Sequence, residues 1–203
     1  MDRLDDTLGT VAPLLKRVDE VLAWAGAPAD HDIWPALRQV RLLTWDSAQA
    51  VAALRPADLA DAATELRQDA RSYAGVAESL PAPGGWAGTA ADAYDRARKH
   101  AAAHLSGGPD SLDERLEATA DLADALTDWM RSTRDGLAAT LAEVLTSAEA
   151  LSLSETPTDP PTVREVEAAA EVAARVLRVV AGSYDTAEEL MTGSAALTTP
   201  ARL

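Results

Sequence analysis

The stretch Pro81-Ala82-Pro83-Gly84-Gly85-Trp86-Ala87-Gly88-Thr89-Ala90-Ala91-Asp92-Ala93-Tyr94 decides how this chain folds. Its first five residues set two prolines beside two glycines, a breaker that stops any helix. Alanine-rich sequence resumes at Thr89 and runs to Leu105 without proline or glycine, which predicts a helix over 89–105. Upstream, Leu59, Ala63, Leu66, Ala70 and Tyr73 recur at three- and four-residue steps and predict a helix over about 57–80. A connection this short makes the two helices antiparallel neighbours. Gly88 supplies a residue without a Cβ where the chain must turn tightly. Trp86 supplies a ring large enough to cover the open helix ends, and its indole N–H keeps it at an edge.

Outward from this turn, helical periodicity continues in both directions. Leu4, Leu8, Val11, Leu15, Val18 and Leu22 mark one face of a first helix. Gly9 and Pro13 disturb it, so it is expected to begin or restart near Thr10, and Gly26, Pro28 and Asp30 end it. Asp32 is the expected cap of a second helix, with Pro35 in its first turn. The inner stripe of that helix is Ile33, Leu37, Val40, Thr44, Ala48 and Val51, and Pro56 interrupts it. Beyond the breaker Ser106-Gly107-Gly108-Pro109, Asp110 or Ser111 caps the longest helix. Its stripe runs from Leu112 to Leu151 at a spacing near that of a left-handed supercoil, with a bend expected at Gly136. Ser154 to Pro161 reads as a loop. Thr162 and Glu165 form a capping box for the last helix, whose stripe runs from Val166 to Tyr184 and fades near Gly193. The segments are therefore N-terminal helices over 1–55, a hairpin region over 56–153, a Pro-rich loop over 154–161, a C-terminal helix over 162–193 and a tail over 194–203.

Composition narrows the function classes. The 203 residues carry 33 acidic against 18 basic side chains, a formal net charge of −15. Such a surface repels phosphate backbones and anionic headgroups, so neither nucleic acid nor a membrane surface is an expected partner. No apolar run reaches the length of a membrane span. The acidic opening Met1-Asp2-Arg3-Leu4-Asp5-Asp6 is not that of a cleavable secretory signal. Cysteine is absent, so disulfides play no part. The Ala, Asp and Arg usage is that of a high-GC bacterium.

The region from Pro56 to about Leu151 resembles the WXG (ESAT-like) superfamily of helical-hairpin proteins exported by type VII secretion systems. The resemblance rests on the helix opening Pro56-Ala57-Asp58-Leu59, the turn Gly85-Trp86-Ala87-Gly88 and the returning Thr89-Ala90-Ala91-Asp92-Ala93-Tyr94. Trp24-Ala25-Gly26 repeats the tripeptide without that context. The resemblance implies a fold of one class: an all-α, elongated antiparallel helical bundle built around a WXG hairpin, with extra N- and C-terminal helices. It implies that Trp86 and Gly88 form the hairpin turn and a recognition surface. It also implies a secretion signal of the form Tyr-X-X-X-(Asp/Glu), which Tyr184 and Glu188 fit, whereas Tyr73 and Tyr94 are followed by Ala77 and Arg98 at that spacing. The protein would be made in the cytoplasm and exported without a cleavable signal. Its partners would be the secretion machinery or a cognate helical hairpin. The chain departs from the family in cutting the returning helix at Gly107-Gly108-Pro109 and in placing Tyr184 on an additional helix. The helices beginning at Ile33 and Thr162 are expected to stand where a partner's helices would. The alternative reading is an intracellular helical scaffold or adaptor with no export role.

No residue pattern points to catalysis. A Gly-rich phosphate loop, a nucleophile elbow and a Cys/His constellation are all missing from the sequence. His100 and His104 are spaced to meet on one helix face, but Ala101 stands where a zinc protease has its glutamate, and the pair is read as structural or incidental. His31 reads as a surface loop residue. Asp5/Asp6, Asp113/Glu114 and Glu188/Glu189 read as solvated faces, and Trp34, Trp45 and Trp129 as fillers of the core or of grooves. The expectation is a non-enzyme with no cofactor and no metal.

Overall fold

A computed structural model describes residues 3–108 and 110–195. The protein is all-α: its helices pack into a bundle, and no strand occurs among the described residues. In chain order the helices are α1 (Arg3–Ala25), α2 (Ile33–Val40), α3 (Thr44–Ala52), α4 (Ala62–Ser79), α5 (Thr89–Leu105), α6 (Leu112–Leu145), α7 (Ala148–Ser154) and α8 (Val163–Ser194), with a 3-10 turn at Pro56–Leu59. The chain divides into two compact units, one of residues 1–55 with 129–189 and one of 56–128 with 190–203. The sequence segment 56–153 is thus shared between both units, because α6 gives its first half to one core and its second half to the other. The C-terminal stretch 196–203 of the expected tail lies outside the described residues.

The first unit has a continuous aliphatic core. Leu4, Val11, Leu15, Val18 and Val21 of α1 are fully buried, together with Ile33 of α2, Leu137, Leu141 and Val144 of α6, and Val172, Val176 and Leu177 of α8. α1 packs on α3 and α7. Contrary to the restart expected near Thr10, α1 is one helix with Pro13 inside it. Proline removes a single backbone donor, and the burial of the whole stripe on both sides outweighs that loss.

Two expected helices are instead broken. The stripe from Ile33 to Val51 is divided between α2 and α3, since Arg41 adopts a left-handed conformation (φ 59°) and its N–H closes α2 onto the carbonyl of Leu37 at 2.9 Å. The restart at Thr44 is fixed from outside: the Asp19 carboxylate accepts the backbone N–H groups of Thr44 and Trp45 at 3.0 and 2.9 Å. The long stripe is divided, since α6 ends at Leu145, with Gly136 inside it. Ser147 caps α7 by accepting the N–H of Ala150 at 3.2 Å, and the two helices meet at 64°. The capping box forms as the sequence predicts. Glu165 Oε2 accepts the Thr162 N–H at 2.7 Å, and Thr162 Oγ1 accepts the Glu165 N–H at 3.2 Å. Asp32 makes no side-chain cap, and His31 does that work, its Nδ1 accepting the Ile33 N–H at 3.2 Å.

The second unit is different in kind. Its core cluster is Ala63, Ala120 and Ala123, with Ala62 and Leu66 packed around it. The helix expected from about Ala57 starts only at Ala62, after the 3-10 turn. α5 spans the predicted 89–105. α4 and α5 pack on one another. They run antiparallel: Tyr94, near the start of α5, reaches Pro81 just past the end of α4, while Gly107 and Gly108, past the end of α5, share a groove with Ala70 and Ala74 in mid-α4.

Candidate functional site

The connection between α4 and α5 places Trp86 and Tyr94 side by side. Gly88 has φ 94°, a conformation that a Cβ makes costly, and it occupies the N-cap position of α5. One helical turn later the Asp92 N–H closes on the Gly88 carbonyl at 3.1 Å. The turn before it is held by the Trp86 N–H on the Pro83 carbonyl at 3.2 Å. Tyr94 then folds back, its hydroxyl donating to the Pro81 carbonyl at 2.9 Å. The Trp86 ring stands edge-on to Tyr94, with centroids 5.6 Å apart and planes at 86°. Such a pair holds the indole in one orientation. Trp86 nevertheless remains 62% exposed. Tyr73 and Val76 on α4 are exposed as well, although the sequence stripe placed Tyr73 inside. The buried positions of α4 are Ala63, Ala70 and Ala77, a seven-residue repeat that turns the larger side chains outward.

Tyr184 and Glu188 lie on α8 in the other unit, so the two parts of the expected recognition element belong to different compact bodies. Tyr184 is 37% exposed and Glu188 is exposed, one turn apart on one face. Asp185, between them in sequence, accepts a hydrogen bond from Gln39 Nε2 at 2.8 Å.

The remaining polar groups are largely absorbed by the fold. Trp34 Nε1 donates to the Pro28 carbonyl at 2.8 Å, Trp129 Nε1 donates to that of Ser183 at 2.9 Å, and Lys16 Nζ lies 5.0 Å from the centre of the Trp45 ring. Arg67 spans Glu117, Asp121 and Asp124. In a cleft of about 700 Å³ lined by His31, Glu149 and Glu171, Arg175 holds both glutamates, at 3.3 and 3.0 Å. Glu165 accepts from Thr158, Thr162 and Arg17 (the last at 3.1 Å), and these donors hold its carboxyl at about 2, well below the ordinary range. Burial pushes Asp19 upward, against the α3 amides that favour its charged form. Asp113 is held down by the hydroxyls of Ser106 and Ser111.

Sequence reasoning missed Asp19, which holds the start of α3, and Arg134, whose guanidinium donates to the carbonyls of Ala52 and Leu54 at its end, because neither is near its client in sequence. It also read His31 as a surface residue, though the side chain is mostly covered and stands 3.7 Å from Glu171. Among the described residues no cluster of three or more His, Cys, Asp or Glu groups surrounds a possible metal position, and no single helix is long and apolar enough to cross a membrane. Comparisons with protein-family models, with curated proteins and with solved structures find no match for this chain.

Proposed function

We propose that this chain is a non-catalytic helical protein of the WXG type, a substrate of type VII secretion or a partner within that pathway, which acts through helix-to-helix contacts. In this reading α4 and α5 are the family hairpin, and the remaining helices elaborate it into an antiparallel bundle. The observation that carries the reading is the braced but exposed indole of Trp86, on a hairpin that packs through alanine, Ala63 of α4 being clustered with Ala120 and Ala123 of α6. Alanine faces let helices approach closely but bury little apolar area each, so such a hairpin gains much from a further helical surface. The exposed large side chains Tyr73, Val76, Trp86 and Tyr94 are what that surface would cover.

The export element in this proposal is Tyr184 with Glu188, read together with Trp86. The test is export from the producing organism at equal intracellular level, with thermal melts of every variant. Glu188→Ala and Trp86→Ala are expected to abolish or sharply reduce export while the fold is kept. Glu188 is exposed, so its removal is expected to change stability by less than about 0.5 kcal/mol. Normal export of both variants would turn the reading to an intracellular helical scaffold.

A further inference from the structure

We infer that His100 and His104 of α5 form an open, bidentate site for a divalent transition-metal ion of the copper(II) or nickel(II) class. The inference is independent of the proposed secretion role. The two residues lie one helical turn apart, and their Nε2 atoms stand 3.1 Å from one another, with ring centroids at 4.4 Å and planes at 77°. Two imidazole nitrogens this close can turn to share one ion, each at a metal–nitrogen distance of about 2.05 Å. With imidazole donors, affinity among the first-row divalent ions rises through nickel(II) to copper(II), the two ions of the proposed class.

The backbone does most of the positioning. α5 is helical from Thr89 to Leu105, and four-residue spacing brings the two side chains onto one face. His100 is exposed and His104 half-buried, so an ion reaches the pair from solvent and keeps waters in its other positions. In the metal-free pair one Nε2–H donates to the other Nε2. Chelation requires both rings to carry their proton on Nδ1, a tautomer exchange through solvent that releases no proton from the neutral pair. The broad torsion at the imidazole ring lets each lone pair turn from its neighbour toward a shared ion. The sequence reading set this pair aside because Ala101 stands where a zinc protease has its glutamate. An open site with two protein ligands needs no such glutamate.

The test uses the full chain, free of any polyhistidine tag and stripped with a chelator, titrated calorimetrically with nickel(II). Wild-type protein is expected to bind one ion per chain, with paramagnetic broadening of the His100 and His104 ring resonances and a raised melting temperature that a chelator reverses. Each single change, His100→Ala or His104→Ala, is expected to weaken binding about tenfold or more, as loss of a direct ligand exceeds loss of an outer-shell one. Copper(II) is expected to bind more tightly than nickel(II). His31→Ala is expected to leave nickel binding unchanged. Equal binding by the His100→Ala/His104→Ala double variant, or no uptake by wild type in large molar excess of nickel, would overturn the inference. Neither histidine belongs to a core cluster, so the variants keep the fold, and their melts verify it.

Discussion

Arg134 is 3% exposed, and its guanidinium is spent on the chain itself. Nη1 donates to the carbonyls of Ala52 at 2.5 Å and Leu54 at 3.1 Å, and Nη2 meets Asp5 at 3.1 Å. One side chain thus closes the C-terminal end of α3 and ties it to α1. Arg134→Ala leaves those carbonyls and a partly covered carboxylate without their donor, and is expected to cost about 3 kcal/mol in urea denaturation. Glu165 shows the same economy at the start of α8, and it makes stability depend on pH. Its carboxyl falls from 4.5 to about 2 on folding, so its contribution is complete above 4.5 and drains away as pH falls toward 2. Unfolding measured across that window is expected to show a steeper loss of stability in wild type than in Glu165→Gln. Equal slopes would mean that the hydrogen bonds around Glu165 do not favour its charged form.

At the scale of elements, the break between α2 and α3 offers a test of sign. Glycine inside a continuous helix costs about 1 kcal/mol relative to alanine. Arg41 sits instead at a left-handed position, where a side chain is the strained choice. Arg41→Gly is therefore expected to leave stability unchanged or raise it by about 0.5 kcal/mol, while a single helix over 33–51 would make the same change destabilising. The turn after α5 sets the opposite limit. A Cβ on Gly108 would stand 2.7 Å from the Ala103 carbonyl oxygen, so Gly108→Ala forces the backbone to shift. It is expected to destabilise by about 1–3 kcal/mol, read in the same denaturation experiment.

For the whole molecule, the two units differ in what holds them. One buries leucine, isoleucine and valine from α1, α2, α6 and α8, and the other closes on four alanines and a leucine. Burial scales with apolar area, so the second unit has the smaller reserve. Amide exchange in α4 and α5 is expected to run about tenfold or more faster than in α1 and the buried half of α8. If a helical partner covers the hairpin, that difference shrinks on its addition. Light scattering on the purified chain, alone and with the cognate hairpin, reports whether the association occurs.

By itself the sequence determined the helical class, the span of α5, the turn at Trp86 and Gly88 and the capping box of α8. All of these follow from local chemistry, namely periodicity, breakers and side chains that cap their own backbone within three residues. Only tertiary structure decided the rest. Pro13 stays inside α1 because a buried stripe outweighs one missing hydrogen bond. The apolar stripe of α2–α3 breaks because Asp19 arrives from α1 to start a new helix at Thr44; the break of α6–α7 rests on the local Ser147 cap, which the apolar stripe runs across without a change of register. Periodicity records which face is apolar, and a stripe can keep its register across a break. Tyr73 faces outward because the hairpin packs on an alanine heptad, a choice between faces that depends on the neighbouring helix. The meeting of His100 and His104 was legible as a spacing, but the 3.1 Å between their nitrogens depends on rotamers, which a one-dimensional pattern does not contain.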